Sequence, residues 1–173
     1  MATRRDIRRS ALQWLYQLDA GATIVPPEEP GDPTVGDEAG APQREHRAMR
    51  GVHEVASDPD EAFPDAVAAR RGYDLATLAW EFHGDADARV APLTPEWPLH
   101  RQPMIDRNVL RLAWYEVVHQ GVPARVAINE AIELAREFGG ERSPAFVNGV
   151  LDRVFRANLE SEVAGGQRPA SSE

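Results

Sequence analysis

The chain reads as an all-α globule of five to seven helices, on three observations. Apolar residues return with a period close to 3.6 in five separate stretches. No strand-like alternation competes with them. Half of the fourteen prolines fall in one segment, Gly21 to Pro64, leaving the periodic stretches almost unbroken.

The first stretch, "RRDIRRSALQWLYQLD" at 4–19, sets Ile7, Ala11, Leu15 and Leu18 on one stripe with Trp14 beside it. The second, over 65–90, runs through Val67, Leu75, Leu78, Ala79, Phe82, Ala86 and Val90; Gly72 and Gly84 weaken it and suggest two helices. "MIDRNVLRLAWYEVVH" at 104–119 is apolar on more than one face, which predicts burial between neighbours. "VAINEAIELAREF" has one apolar side and ends at Gly139-Gly140, the residue type that suits a C′ position. "SPAFVNGVLDRVFRANL" opens with Ser143 as a capping residue and Pro144 at the first helical position. Ser10 is likewise read as a helix-start residue.

Residues 1–160 are expected to form one domain, interrupted by a disordered insertion at 21–64 and followed by a disordered tail at 161–173. The insertion holds too few large apolar residues to offset its ordering entropy; short helical turns are expected around 44–56, through Met49, Val52 and Ala56. No cysteine is present, which removes disulfides, thiolate metal sites and cysteine nucleophiles. No apolar run reaches the roughly 18 residues that span a bilayer, and no secretory h-region follows the first arginines. The expectation is a cytoplasmic protein with no membrane partner.

The net charge of −9 is unevenly spread. Residues 1–19 carry four arginines against two acids, 20–62 three against ten, and 63–173 twelve against sixteen. Every basic residue is arginine, which a GC-rich genome produces through codon usage and which also suits phosphate recognition.

Catalytic patterns are missing. His53-Glu54 lacks the second histidine of a zinc-protease helix, Ser57 standing in its place. His119, near a helix C-terminus, reads as a dipole partner, and Glu130, Glu133 and Glu137 as a wet helix face. No cofactor and no metal are expected. Arg107 and Arg111 read as partners of nearby acids, Asp106 and Glu116.

What stands out is Arg4, Arg5, Arg8 and Arg9, four cations at the positively polarised end of a helix, where each is opposed by about 0.3–1 kcal/mol. They have no evident structural return in the sequence. Two readings stay open on composition: a solvated face, or a patch for a polyanion, since the Debye length of about 8 Å hides the distant acids.

Three strings, "RRDIRRSALQWLYQLD", "IDRNVLRLAWYE" and "PARVAINEAIELAREFGGERSPAFVNGVLDRV", in that order and spacing, resemble the NusB family of transcription antitermination factors. The resemblance is close over 3–20 and 93–156 and loose over 68–92. It implies about seven helices in two packed subdomains, and binding of boxA-type single-stranded RNA beside the small-subunit ribosomal protein NusE, on RNA polymerase with other Nus factors. It also implies RNA-facing residues at Arg4, Arg5, Arg8, Arg9 and Tyr16, and at Glu141, Arg142, Ser143 and Phe146 around the turn before the last long helix. Phe146 also falls on an apolar stripe, so it reads as core first and base platform second. Asp6 interrupts a run that is more uniformly basic in the family. Two alternatives stay open: a helical domain serving a ribosomal RNA methyltransferase in trans, and a scaffold without RNA binding. The acidic insertion is expected to compete with RNA for the arginine arm.

Overall fold

A computed structural model of the chain describes residues 2–27 and 65–166. Most of the expected insertion, its helical turns at 44–56 and the last seven residues of the tail lie outside the described residues. The described residues form seven α-helices and two short 3₁₀ turns, with no strand. The helices are α1 (Arg4–Asp19), α2 (Ala66–Glu81), α3 (His83–Val90), α4 (Met104–Gln120), α5 (Ala124–Phe138), α6 (Ser143–Val154) and α7 (Arg156–Gly166). Helix α7 thus runs into the first residues that the sequence assigned to the tail.

α1 packs along α2, with α3 beyond it, while α4, α5 and α6 pack consecutively with α7 against α5. α4 touches both groups and is the axis of the molecule. Its sequence explains this: Val109, Leu110, Leu112, Ala113, Trp114 and Tyr115 are all buried, so apolar surface lies on more than one side of the helix. α4 ends at Gly121, whose φ of 66° is the left-handed conformation that glycine adopts without penalty.

Several sequence expectations are corrected by packing. The 65–90 stretch is two helices, as its glycines suggested, with the break at Phe82, two residues before Gly84. Gly72 sits inside α2 where a Cβ would lie 2.4 Å from Ser10 Oγ and 2.9 Å from the Ala11 backbone nitrogen. It is therefore a close-approach glycine, and Ser10 is a buried mid-helix residue, not a helix start. Gly139 is extended (ψ −177°) and not left-handed; a Cβ there would meet Ser143 at 2.5 Å. Ser143 is the first residue of α6, with Arg142 before it, and its hydroxyl accepts from the Gly140 N–H at 2.9 Å. It closes the turn instead of capping the helix.

Candidate nucleic-acid interface

α1 begins in a capping box. Thr3 Oγ1 accepts from the Asp6 N–H at 3.1 Å, and Asp6 Oδ2 accepts from the Thr3 N–H at 2.9 Å. The Thr3 hydroxyl donates to the same oxygen at 2.6 Å. These bonds hold the Asp6 carboxyl below the ordinary carboxylate range. Asp6 is thus the anion that the positive end of α1 requires, and the interruption of the basic run has a local cause.

The four arginines part company in space. Arg8 is buried, at 5 % exposure. Its Nε donates to both carboxylate oxygens of Glu116 on α4, at 2.8 and 3.0 Å, and one terminal nitrogen lies 3.4 Å from Glu130. Burial pushes the Glu116 carboxyl up, and Arg8 opposes that shift without cancelling it. The expectation that this arginine has no structural return is overturned: Arg8 fastens α1 to α4. Arg4 and Arg5 are exposed. Arg5 approaches Glu133 at 3.6 Å and Glu137 at 3.8 Å, and Arg9 reaches Glu137 at 2.5 Å. The Arg9 guanidinium also lies over the Phe138 ring, 5.9 Å from its centroid. The edge of α5 that the sequence assigned to open water therefore faces α1: Glu130 approaches Arg8, Glu133 approaches Arg5, and Glu137 approaches both Arg5 and Arg9.

The second expected region is the turn from Gly139 to Phe146, continuous with Glu137 and Phe138. Glu141 and Arg142 on it are exposed. Ser143, expected at the RNA surface, is only 4 % exposed, so its hydroxyl acts from inside the protein. It lies against Asp106, a buried carboxyl whose Oδ1 has no hydrogen-bond partner among the described residues. Burial raises the Asp106 pKa, and the bond to Ser143 opposes the shift. Phe146 is half-buried. Its ring packs edge-on against Trp97, centroids 4.8 Å apart, and Trp97 is fixed by an indole N–H bond of 3.1 Å to the Arg101 carbonyl. Tyr16, also half-buried, follows Arg9 by two turns of α1 and shares its side of the helix.

α1 thus presents Arg5 and Arg9 beside the last turn of α5, and that turn leads directly into Glu141 and Arg142. Sequence reasoning missed Glu137, Phe138 and Trp97. The acids at 130, 133 and 137 were visible as one helix edge, but which helix that edge faces was not. Thr3 and Asp6 were legible, being the capping-box spacing itself. Arg107 and Arg111 are ion-paired as expected, but with other acids: Arg107 meets Asp19 at 2.5 Å, and Arg111 meets Asp19 at 3.3 Å and Asp87 at 2.7 Å. His119 is exposed and stacks on Phe82 at 4.0 Å. Among the described residues no group of His, Asp or Glu could hold a metal ion, and no helix is long and apolar enough to cross a membrane.

The sequence profile described as "NusB family" matches residues 73–156. The transcription antitermination protein NusB of Solibacter usitatus is 48 % identical over 156 residues, covering 90 % of each chain. That of an Anaeromyxobacter species is 38 % identical over 151 residues, 87 % of this chain and 88 % of the other. A solved structure of T. maritima NusB superposes with a TM-score of 0.59 at 26 % identity, covering 92 % of this chain and 99 % of that one. With that identity sustained along nearly the whole length, and the same helical fold, the chain belongs to the NusB family.

Proposed function

We propose that this chain is a cytoplasmic transcription antitermination factor. It binds boxA-type single-stranded RNA together with the small-subunit ribosomal protein NusE, and the complex assembles on RNA polymerase with other Nus factors to suppress premature termination in ribosomal RNA operons. Family membership supports the class of function. The observation that carries the RNA reading is the grouping of Arg5 and Arg9 beside the last turn of α5, which leads into the exposed turn bearing Arg142, with Arg4 exposed on the first turn of α1. Single-stranded RNA is recognised by phosphate contacts from arginine and by bases resting on aromatic or guanidinium planes. Arg4, Arg5, Arg9 and Arg142 take the phosphates in this reading. Tyr16 and Phe146 offer ring surface, with Trp97 holding Phe146 in place. Glu141 accepts from base amino groups. Arg8 and Ser143 support the interface from within: one seats α1, the other closes the turn.

Titrating a boxA-type RNA oligonucleotide at several salt concentrations, with and without the ribosomal protein, tests the proposal. Each single-strand phosphate contact contributes about −0.7 to the slope of log affinity against log salt, so four arginines predict a slope of roughly −3. Failure to bind at any salt concentration, with the ribosomal protein present, overturns it.

A further inference from the structure

Glu137 is placed unusually for a surface acid: its two oxygens address two arginines of the same helix. Oε1 lies 2.5 Å from Arg9, and Oε2 lies 3.8 Å from Arg5. Arg5 and Arg9 are one turn apart on α1, so their side chains leave the helix on the same side. Phe138 lies beneath the Arg9 guanidinium, so the fork has an aromatic floor as well as an anionic partner. A terminal nitrogen of each arginine approaches the carboxylate, and guanidinium donors of this kind also address the non-bridging oxygens of a phosphodiester.

We propose that Arg5 and Arg9 form a clamp for one RNA phosphate, and that Glu137 occupies the phosphate's seat when RNA is absent. This rests on the RNA reading above and adds to it a defined subsite and a competitor. Arg5 is more than half exposed, its side chain at 54 %, and its pairs with Glu133 and Glu137 are long, so Arg5 releases the carboxylates at small cost and the Arg9–Glu137 contact of 2.5 Å is the one a diester oxygen has to replace. Until then Glu137 keeps the two arginines side by side, against their mutual repulsion and against the dipole of α1. The competitor expected from the acidic insertion has a counterpart on α5, within the clamp itself.

The clamp is tested by a double-mutant cycle, with binding of a boxA-type RNA oligonucleotide at low salt as the readout. Glu137→Gln removes the competing charge while keeping size and helix propensity. It should tighten RNA binding roughly 3- to 10-fold, the scale of exposed ion pairs released together. In an Arg9→Gln background the same substitution should change affinity by less than about twofold, because the carboxylate then has no clamp to occupy. An equal gain in both backgrounds would mean that Glu137 repels RNA at a distance, and overturns the clamp. So does unaltered affinity of the single variant in a chain that binds RNA, an outcome that leaves the RNA reading standing. Absence of RNA binding by both the parent chain and Glu137→Gln overturns the two together.

Discussion

Arg8 and Arg5 carry the same charge three residues apart, and their surroundings give them different work. Arg8, enclosed between α1 and α4, is held at two oxygens by Glu116. Removing one partner of such a pair strands the other in a place water does not reach. Arg8→Ala should therefore lower unfolding free energy by about 3–5 kcal/mol, measured by urea denaturation. Arg4→Gln should leave it within roughly 0.5 kcal/mol, as surface changes usually do. A loss of RNA binding in the Arg8 variant would thus report on folding, and only the exposed arginines test the interface directly. Asp106 shows the opposite economy. Its carboxyl is buried with one oxygen unpartnered among the described residues, and its pKa lies above the ordinary 3.8. The folded state then holds this proton more tightly than the unfolded chain, so its ionisation costs stability as pH rises from about 3.8 through the folded value. Asp106→Asn keeps an acceptor for Ser143 and should raise the melting temperature near pH 7, with the gain fading below pH 4. A variant that melts lower at neutral pH by the same margin as at acid pH would show that the ionised group is not the cost.

At the scale of single helices, the sequence was most informative where periodicity and local chemistry act alone. The apolar stripe of α5 and the many-sided burial of α4 followed from spacing. The division into α2 and α3 was suggested by Gly72 and Gly84, but its place at Phe82 was not, since only Gly84 is near it. A glycine weakens a helix by its own propensity, yet Gly72 is tolerated because a neighbouring backbone needs the space. The start of α1 was legible in principle: Thr3 and Asp6 have the spacing of a reciprocal cap, and a family comparison made the acid look like a defect instead. Thr3→Ala should destabilise the protein by about 1 kcal/mol in thermal or urea unfolding, the usual value of an N-cap side chain. Because α1 bears the arginine arm, the same variant should also weaken RNA binding without touching any arginine.

For the molecule as a whole, the contacts that sequence could not supply are those between distant segments. Arg107 and Arg111 are near Asp106 and Glu116 in the chain, but two of the helices that close on α4 bring an acid of their own: Asp19 from α1 and Asp87 from α3. Asn108 joins them, donating to Asp19 at 3.0 Å and accepting from Arg111 at 3.0 Å. Burial raises the Asp19 pKa, and the two guanidiniums outweigh it, leaving the carboxyl below its ordinary value. Its stabilisation is therefore complete above about pH 4 and disappears as pH falls through the lowered value. Asp19→Asn should cost stability at neutral pH and cost progressively less toward pH 2, the reverse of the Asp106 variant, in the same melting series. The site was legible to the same degree as the fold: which arginines exist could be read, but which one the core would claim depended on α4 and α5 closing over α1.

Ser10 and Gly72 jointly own room for a single hydroxymethyl group, and that joint ownership has a genetic consequence. Gly72→Ala by itself should be damaging, by roughly 1–3 kcal/mol, since the new methyl lands on Ser10 and on the backbone behind it. Introducing Ser10→Gly in the same chain vacates the larger part of that volume and should recover much of the loss, which calorimetry on the single and double variants would reveal. The two positions should then drift as a couple, one shrinking when the other grows, although the long segment between α1 and α2 separates them in the gene.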